Sequence, residues 1–95
     1  MPSNFEWDET KNRANIKKHK LSFEDAQYAF LDECRVIAED TKHSSVNEKR
    51  YYCFGKISEG IVTVRFLFKN STIRIIGAGY WRKGKQLYEK KNRIQ

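Results

Sequence analysis

One stretch near the end of the sequence, residues 72–88, mixes cationic with aromatic side chains in a pattern suited to nucleic-acid binding. Arg74 lies in a run of β-branched residues that ends at Gly77-Ala78-Gly79. The side chains that follow, and that we expect to contact a nucleic acid, are Tyr80, Trp81, Arg82, Lys83 and Lys85. The cations would meet phosphates while the rings stack on bases. The alternative, a last strand running into a solvated amphipathic helix, is favoured when this stretch is considered by itself.

Three strands and a helix are predicted after residue 49. β-Branched and aromatic residues indicate strands at 50–57, 61–69 and 72–78, and a helix follows over about 82–92. Ser58-Glu59-Gly60 is typical of a three-residue hairpin loop, and Asn70-Ser71 suits a two-residue turn.

These loop lengths predict which side chains share a face, because side chains alternate along a strand. Cys53 is placed opposite Arg65, and Arg65 in turn lies opposite Ile76. Leu67 is placed opposite Arg74, which makes the two arginines diagonal neighbours. The predicted apolar face carries Tyr52, Phe54, Val64, Phe66, Phe68, Ile73 and Ile75. The opposite face carries Tyr51, Cys53, Thr63, Arg65, Leu67, Arg74 and Ile76.

The two neighbouring arginines, Arg65 and Arg74, need a counter-charge because they repel each other. An internal salt bridge for each is one possibility. Residues 49–95, however, contain only Glu59 and Glu89, and neither is obviously placed to serve both arginines. We therefore expect an external anion, and phosphate matches the planar fork of a guanidinium.

The charge of the chain, formally +7, is divided unevenly between its halves. Residues 1–48 hold 7 Lys/Arg against 10 Asp/Glu, a net charge of −3. Residues 49–95 hold 12 Lys/Arg against 2 Asp/Glu, a net charge of +10. Such a half needs a polyanion, a membrane surface or an acidic protein as its partner. A nucleic acid or an acidic partner is the favoured interpretation.

The length of 95 residues predicts a single domain, and 33% charged with 14% aromatic residues indicates a globular chain. Cys34 and Cys53 lack the spacing of a redox or metal motif, so we expect free thiols. His19 and His43 lack the spaced partners of a zinc site, and we predict no metal and no cofactor. We also predict no signal peptide and no membrane span, and hence a cytoplasmic protein.

Two helices are predicted in the first third of the chain. Asp8 is a good N-cap for a helix running to about His19, and Ser22 begins a second helix over roughly 23–31. The first helix is unusually polar, so part of it is expected to face a ligand or solvent. Both helices are expected to cover the apolar face of the sheet. The remaining segments are a short strand or extended segment at Phe5-Glu6-Trp7, a short strand at 35–38 and a polar loop at 39–47.

The chain resembles the BrnT toxins in residues spread over nearly its whole length. In the first half these residues are Phe5-Glu6-Trp7-Asp8, Lys11, Asn15, Lys18-His19 and Ser22-Phe23-Glu24-Asp25-Ala26. In the second half they are Arg50, Arg65, Ile73-Arg74-Ile75-Ile76 and Tyr88-Glu89. The cluster in the first half is the specific part of the match.

This resemblance implies an α+β fold of the RelE/ParE type. Its antiparallel sheet would have about four strands, with two N-terminal helices packed on one face and a C-terminal helix. The resemblance also implies a ribonuclease toxin of a type II toxin–antitoxin pair, which cuts RNA, inhibits translation and is neutralised by a BrnA-type antitoxin. Operator DNA would be bound only through the antitoxin.

The chain departs from the pattern of the family at two places. Gly79 stands where many members carry an arginine. A glutamate of many members falls at Gly84 or Lys85 in this sequence. The family resemblance thus predicts an endoribonuclease whose site lacks an arginine and a carboxylate. Two alternatives remain open: a subfamily that uses Tyr80, Trp81, Arg82 and Lys83 instead, or a weakened enzyme.

The reaction expected from the resemblance is metal-free cleavage, in which the 2′-hydroxyl of the RNA attacks the adjacent phosphorus. Arg65 and Arg74 are the predicted charge clamp on the phosphate, with Arg50 at the mouth of the same sheet. His19 is the candidate general acid or base, because an imidazole ordinarily changes charge near neutral pH. A cation that stabilises the C-terminal end of its helix is an equal alternative for His19. Lys18 joins the predicted RNA-binding residues.

Two further hypotheses belong to other functional classes. One is a homologue with little or no catalytic activity that still binds nucleic acid or an antitoxin. The other is a small interaction protein whose basic face docks an acidic partner. A DNA reader is disfavoured, because the sequence has no helix-turn-helix pattern.

Overall fold

A computed structural model describes residues 4–93, which form a five-stranded sheet and three α-helices. Residues 1–3, part of the segment used to predict the absence of a signal peptide, lie outside the described residues, as do residues 94–95. The strands are β1 (Asn4–Glu6), β2 (Val36–Glu39), β3 (Arg50–Ile57), β4 (Gly60–Lys69) and β5 (Thr72–Gly79). The helices are α1 (Glu9–His19), α2 (Phe23–Ala26) and α3 (Arg82–Asn92), with 3-10 helices at Gln27–Leu31 and Thr41–His43.

The sheet is mixed rather than antiparallel throughout, with the strand order β1-β5-β4-β3-β2. β1 runs parallel to the start of β5, and Glu6 lies opposite Arg74. The other three pairings are antiparallel. The prediction of about four antiparallel strands is therefore corrected to five strands, because the extended segment near residue 5 pairs with the last strand.

Local signals placed the helix starts well. The Asp8 side chain accepts a hydrogen bond from the Lys11 N–H at 3.1 Å, and Ser22 accepts one from the Asp25 N–H at 3.0 Å. Both side chains thus satisfy amide groups that a helix leaves free at its first turn. The second predicted helix is confirmed in extent, although its second half is a 3-10 helix.

The predicted register of β3 is wrong by one residue. Ile57 pairs with Gly60, so the first hairpin turns through two residues and not three. Tyr52 consequently lies opposite Arg65, and Cys53 lies opposite Val64. A slip of one residue exchanges the two faces of a strand. The fully buried Cys53 therefore belongs to the core face, while Tyr52 shares a face with Arg65.

β4 and β5 pair as predicted at one end and differ at the other. Leu67 lies opposite Arg74, which confirms that part of the register. Arg65 lies opposite Gly77 rather than Ile76, because the ladder shifts between Arg65 and Phe66. Ile76 is the extra residue of this β-bulge, and bulges re-aim the side chains around them.

The core lies on one face of the sheet, under α2 and the 3-10 helix that follows it. Phe23, Ala26 and Phe30 are buried there together with Val64 and Phe66 of β4. The opposite face, which we call the open face, carries Arg50, Tyr52, Phe54, Thr63, Arg65, Leu67 and Arg74. α3 covers only one end of the open face, since Gly84 lies against Thr63 and Phe54.

The prediction placed α1 over the apolar face of the sheet, but α1 lies along the edge of β5. It covers the part of that edge that β1 does not reach. The Asn15 carboxamide donates to the Ala78 carbonyl at 2.9 Å and accepts from the Ala78 N–H at 3.3 Å. It also donates to the Leu21 carbonyl at 2.9 Å. Asn15 therefore takes the place of a strand where β1 has ended.

The polarity of α1 has a second structural cause in Asn12, which is 1% exposed. Its carboxamide accepts from the Phe23 N–H at 2.8 Å and donates to Glu24 at 3.1 Å. A buried amide of this kind is stable only because its polar atoms are bonded. Polar residues of α1 thus tie it to α2 and β5, in addition to facing the open side.

Asp32 joins the turn after the 3-10 helix to α3. Its carboxylate accepts hydrogen bonds from the Tyr88 hydroxyl at 2.6 Å, the Lys56 N–H at 2.8 Å and the Cys34 N–H at 2.9 Å. Burial raises the pKa of Asp32, but these hydrogen bonds outweigh it and hold the pKa below its ordinary value. Tyr88 is buried, and burial together with the bond to Asp32 raises the pKa of its hydroxyl.

Asn15→Ala should lower the free energy of unfolding by about 1–3 kcal/mol, because it leaves the outward N–H and C=O of Ala78 without their partner. Urea unfolding measures this change. Lys17→Ala, an exposed change on the same helix, should stay within about 0.5 kcal/mol of the parent protein. Equal stability of the two variants would show that Asn15 does not complete the edge of β5.

Asp32→Asn should make the free energy of unfolding depend less on pH in the acid range. A carboxyl whose pKa is lower in the folded state stabilises the fold above its unfolded pKa of about 3.9, and this contribution is lost as pH falls through the folded pKa. The parent protein should therefore lose more unfolding free energy than Asp32→Asn between neutral pH and acid. The exposed Glu33→Gln serves as control, and identical profiles for Asp32→Asn and the parent protein would refute the assignment.

Candidate active site

Two adjacent rows of side chains on the open face carry its arginines. Leu67 lies between Arg50 on β3 and Arg74 on β5, and it pairs directly with both. The next row toward α3 contains Tyr52, Arg65 and Gly77. The arginines therefore occupy neighbouring positions of one surface, as the sequence predicted for Arg65 and Arg74.

Arg65 lies in a hollow of about 440 Å³ between β5 and α1, which we call the central hollow. Its lining residues are Lys11, Ala14, Asn15, Lys18, His19, Arg65, Ile76, Gly77 and Trp81. The lining has four groups that are or can become cationic and no carboxylate. It thus offers a favourable place for an anion.

Arg65 is distinguished from the other arginines of the open face by having no counter-charge among residues 4–93. Within residues 4–93, no carboxylate lies within 4.0 Å of its guanidinium nitrogens. The side chain is half-buried, so its charge is only partly screened by water. Its guanidinium donors make no contact with a carboxylate in this part of the chain and can bind an external anion.

Arg74 and Arg50 each have an internal carboxylate, which corrects the expectation that Arg74 lacks an internal counter-charge. Arg74 Nη1 lies 2.8 Å from Glu6 Oε2, and Arg50 Nη2 lies 2.9 Å from Glu48 Oε2. The prediction considered only the carboxylates after residue 49. Glu6 was not considered because it lies near the start of the chain. The parallel pairing of β1 with β5 brings it opposite Arg74.

These two arginines line a neighbouring hollow of about 630 Å³, which we call the flanking hollow. Its lining residues are Lys11, Asn47, Glu48, Lys49, Arg50, Tyr51, Leu67, Phe68, Lys69, Arg74 and Ile76. Lys11 and Ile76 line both hollows. The predicted clamp of Arg65, Arg74 and Arg50 is thus divided between two adjoining hollows.

His19 and Trp81 stand together at the side of the central hollow. Their ring centroids are 5.1 Å apart, with the planes nearly perpendicular at 73°. His19 is the last residue of α1, where the helix dipole favours a positive charge. The position is compatible with proton transfer in the hollow and with the helix-end role, the two alternatives raised by the sequence.

The predicted RNA-binding residues fall into three groups around Trp81. Lys18 and Trp81 line the central hollow. On the far side of Trp81, a hollow of about 260 Å³ is lined by Tyr80, Arg82 and Lys85 together with Glu59, Gly60 and Ile61. Lys83 faces a different hollow, under α3, which also contains Tyr52, Phe54 and Leu87.

The glycine at position 79 makes room for Trp81. A Cβ built on Gly79 would lie 2.8 Å from Cζ2 of the Trp81 indole, closer than two carbons can approach. The ring therefore occupies the space that a side chain at position 79 would take. At position 79, where the sequence resemblance predicts a departure from many members, the space of a β5 side chain is filled by an aromatic ring from the next turn.

Gly84, at the second departure, has a packing role. It is buried where α3 approaches the sheet, and a Cβ there would collide with the Thr63 hydroxyl and the Phe54 ring. Close contact between a helix and a sheet requires a residue without a side chain at such a point. Lys85, the other candidate position, is exposed beside Tyr80 and Arg82.

Sequence reasoning assigned no role to Lys11 in the site and missed the function of Asn15. Both line the central hollow with Lys18, and all three belong to α1. Their positions differ by four and three residues, the spacing that places side chains on one face of a helix. This spacing is the signal in the sequence that could have grouped the three residues on one face of α1. The helix has few apolar residues that would mark its opposite face.

Neither a metal site nor a membrane span is found within residues 4–93. No group of three histidine, cysteine, aspartate or glutamate side chains there is placed to hold a metal ion. No helix in the same range is long and apolar enough to cross a bilayer.

Gly79→Ala should displace the Trp81 indole from His19 at little cost in stability, because the end of a side chain can move aside. In a Trp7→Phe background, NMR cross-peaks between the two rings should disappear. Gly77→Ala is the matched control, since its Cβ would make only an ordinary contact of 3.6 Å with Cδ of Arg65. Retention of the cross-peaks in Gly79→Ala would contradict the packing described.

Comparison with known protein families adds to this geometry. A sequence model described as "Ribonuclease toxin, BrnT, of type II toxin-antitoxin system" matches residues 7–84, which span α1, α2, the strands β2 to β5 and the start of α3. Among curated proteins, no relative matches. Because the family match covers most of the chain, the protein belongs to the BrnT family of ribonuclease toxins of type II toxin–antitoxin systems.

Proposed function

We propose that this single-domain chain is an endoribonuclease toxin that cuts RNA in the central hollow, with Arg65 holding the reacting phosphate. The observation that carries the proposal is the free guanidinium of Arg65. Arg50 and Arg74 each lie next to a carboxylate, whereas no carboxylate approaches Arg65 within residues 4–93. A half-buried arginine without a counter-charge is best explained by an anionic ligand.

The proposed reaction uses a nucleophile that the RNA itself provides, so it needs no metal. The 2′-hydroxyl oxygen attacks the adjacent phosphorus and loses its proton, and the bond from phosphorus to the 5′-oxygen breaks. The 5′-oxygen takes up a proton, which leaves a cyclic phosphate on one fragment and a hydroxyl on the other. Arg65 stabilises the negative charge that grows on the phosphorane oxygens between these events.

Proton transfer is assigned to His19, whose ring lies in the central hollow with Arg65. An imidazole can accept the proton of the 2′-hydroxyl or donate one to the leaving oxygen. Trp81, which is 38% exposed and touches His19, offers a surface for stacking a base next to the reacting phosphate. Lys18 adds a cation to the same hollow.

The proposals of a RelE/ParE-type fold, a cytoplasmic location and an antitoxin partner are based on the match to the BrnT family. A five-stranded sheet, with α2 on one face and α3 on the other, supports a fold of the RelE/ParE type. A BrnA-type antitoxin is the proposed protein partner, and operator DNA is reached only through it. A toxin that cuts RNA and inhibits translation would act in the cytoplasm.

One observation favours a second candidate function, a catalytically weak homologue that binds RNA or the antitoxin. The lining of the central hollow contains no carboxylate to act as a general base, which leaves His19 to perform both proton transfers. Pure protein that binds RNA with steep salt dependence but leaves it uncut would support this second function.

Arg65→Ala should abolish the growth arrest caused by expressing the chain alone, and it should lower RNA cleavage about 10²–10³-fold, as expected on removing one donor to a transition-state oxyanion. Arrest in culture and mapping of RNA ends provide the measurements. Arg13→Ala is the matched control, because Arg13 is exposed on α1, lines neither hollow and pairs with Glu9. Full toxicity of a folded Arg65→Ala variant would exclude the central hollow as the active site.

A further inference from the structure

We infer that the flanking hollow binds phosphates of the RNA strand next to the one that is cut, so that the strand runs along β4 from the central hollow into the flanking hollow. This inference rests on the proposed function and extends its binding site. It also moves Arg50 and Arg74 from the reaction to the binding of the substrate. The added residues are Lys11, Lys49 and Lys69.

Continuity of the two hollows is the first support. Arg65 and Leu67 are two residues apart on β4, a separation of about 7 Å along a strand. Leu67 pairs directly with Arg50 and Arg74. The cationic side chains of the flanking hollow therefore begin in the row next to Arg65 of the central hollow. Lys11 and Ile76 belong to both linings, so the two hollows adjoin each other.

An excess of positive charge is the second support. The flanking hollow is lined by five cationic residues, three of them lysines, and by the single carboxylate of Glu48. Glu6 neutralises part of the charge of Arg74 from outside the lining. Lys11, Lys49 and Lys69 are exposed and, within residues 4–93, have no carboxylate within 4.0 Å.

The ion pairs of the two arginines are compatible with this role. Glu6 contacts one nitrogen of Arg74, and Glu48 accepts from Nε of Arg50 at 3.0 Å in addition to its contact with Nη2. A guanidinium has five N–H donors, so each arginine keeps donors for a phosphate while the carboxylate fixes its orientation. Such contacts hold a backbone without reading its sequence.

The shape of the hollow favours an extended strand over a compact ligand. Its volume is about 630 Å³, and Leu67, 9% exposed, lies between the two arginines. Lysines stand on three different elements around it: Lys11 on α1, Lys49 just before β3 and Lys69 at the end of β4. Charges spread in this way match successive phosphates along a chain better than one isolated phosphate.

The test compares the double variant Lys49→Ala/Lys69→Ala with Lys90→Ala/Lys91→Ala, which removes two exposed lysines of α3 that line neither hollow. Binding of 2′-O-methyl RNA, which cannot be cut, is measured against salt with a trinucleotide and with a strand of about 10 nucleotides. For the longer strand, the slope of log affinity against log salt should become shallower by up to about 1.4 in Lys49→Ala/Lys69→Ala, at about 0.7 per phosphate contact. The trinucleotide and the control variant should show no change.

Cleavage assays separate this inference from the proposed function. If the parent protein cuts RNA but both double variants bind the longer strand equally, the flanking hollow is not part of the RNA site. If the parent protein cuts no RNA, the proposed function itself fails. Loss of antitoxin binding in Lys49→Ala/Lys69→Ala, with RNA binding intact, would overturn the inference by showing that the hollow docks the protein partner.

Discussion

The pairing between the Asn15 carboxamide and the backbone of Ala78 places α1, and with it one side of the central hollow, beside the sheet. β1 is only three residues long and leaves the rest of the β5 edge unpaired. Asn15 satisfies that edge with two hydrogen bonds and thereby fixes α1 beside the sheet. Lys11, Lys18 and His19 reach the open face because α1 is held there by this attachment and by the bonds of Asn12 to α2. A strand in place of Asn15 would have satisfied the same groups but brought no cations.

The arginines of the open face differ in whether a carboxylate lies next to the guanidinium. Arg74 and Arg50 are held by Glu6 and Glu48, and such pairs orient a guanidinium while reducing its net charge. Arg65 has no such partner among the described residues, and its neighbours in the hollow are cationic or neutral. Gly77, which lies opposite Arg65, places no side chain next to it, whereas the Trp81 ring fills the space beside Gly79. We propose that this arrangement provides one reactive position flanked by a surface that binds the RNA backbone.

Local signals in the sequence were sufficient to predict most of the helices and strands but not to predict how they pack together. Asp8 and Ser22 cap their helices, and the strands after residue 49 lie where β-branched runs placed them. The register of β3 was misassigned because Ser58-Glu59-Gly60 suits loops of two or three residues, and only the packing of Cys53 in the core distinguishes them. Glu6 and Asn15 act across more than 60 residues of chain, a separation that no local pattern reveals. The positions of Arg65, His19 and Trp81 in one hollow follow from those long-range contacts.

The central claim, that Arg65 and His19 form the place where RNA is cut, is tested most directly by a crystal structure of the protein with 2′-O-methyl RNA. We predict a phosphate bonded to the Arg65 guanidinium, a base against the Trp81 ring and the His19 imidazole within hydrogen-bond reach of the modified 2′-oxygen. An RNA strand bound on another surface, with the Arg65 guanidinium free of phosphate, would contradict the account.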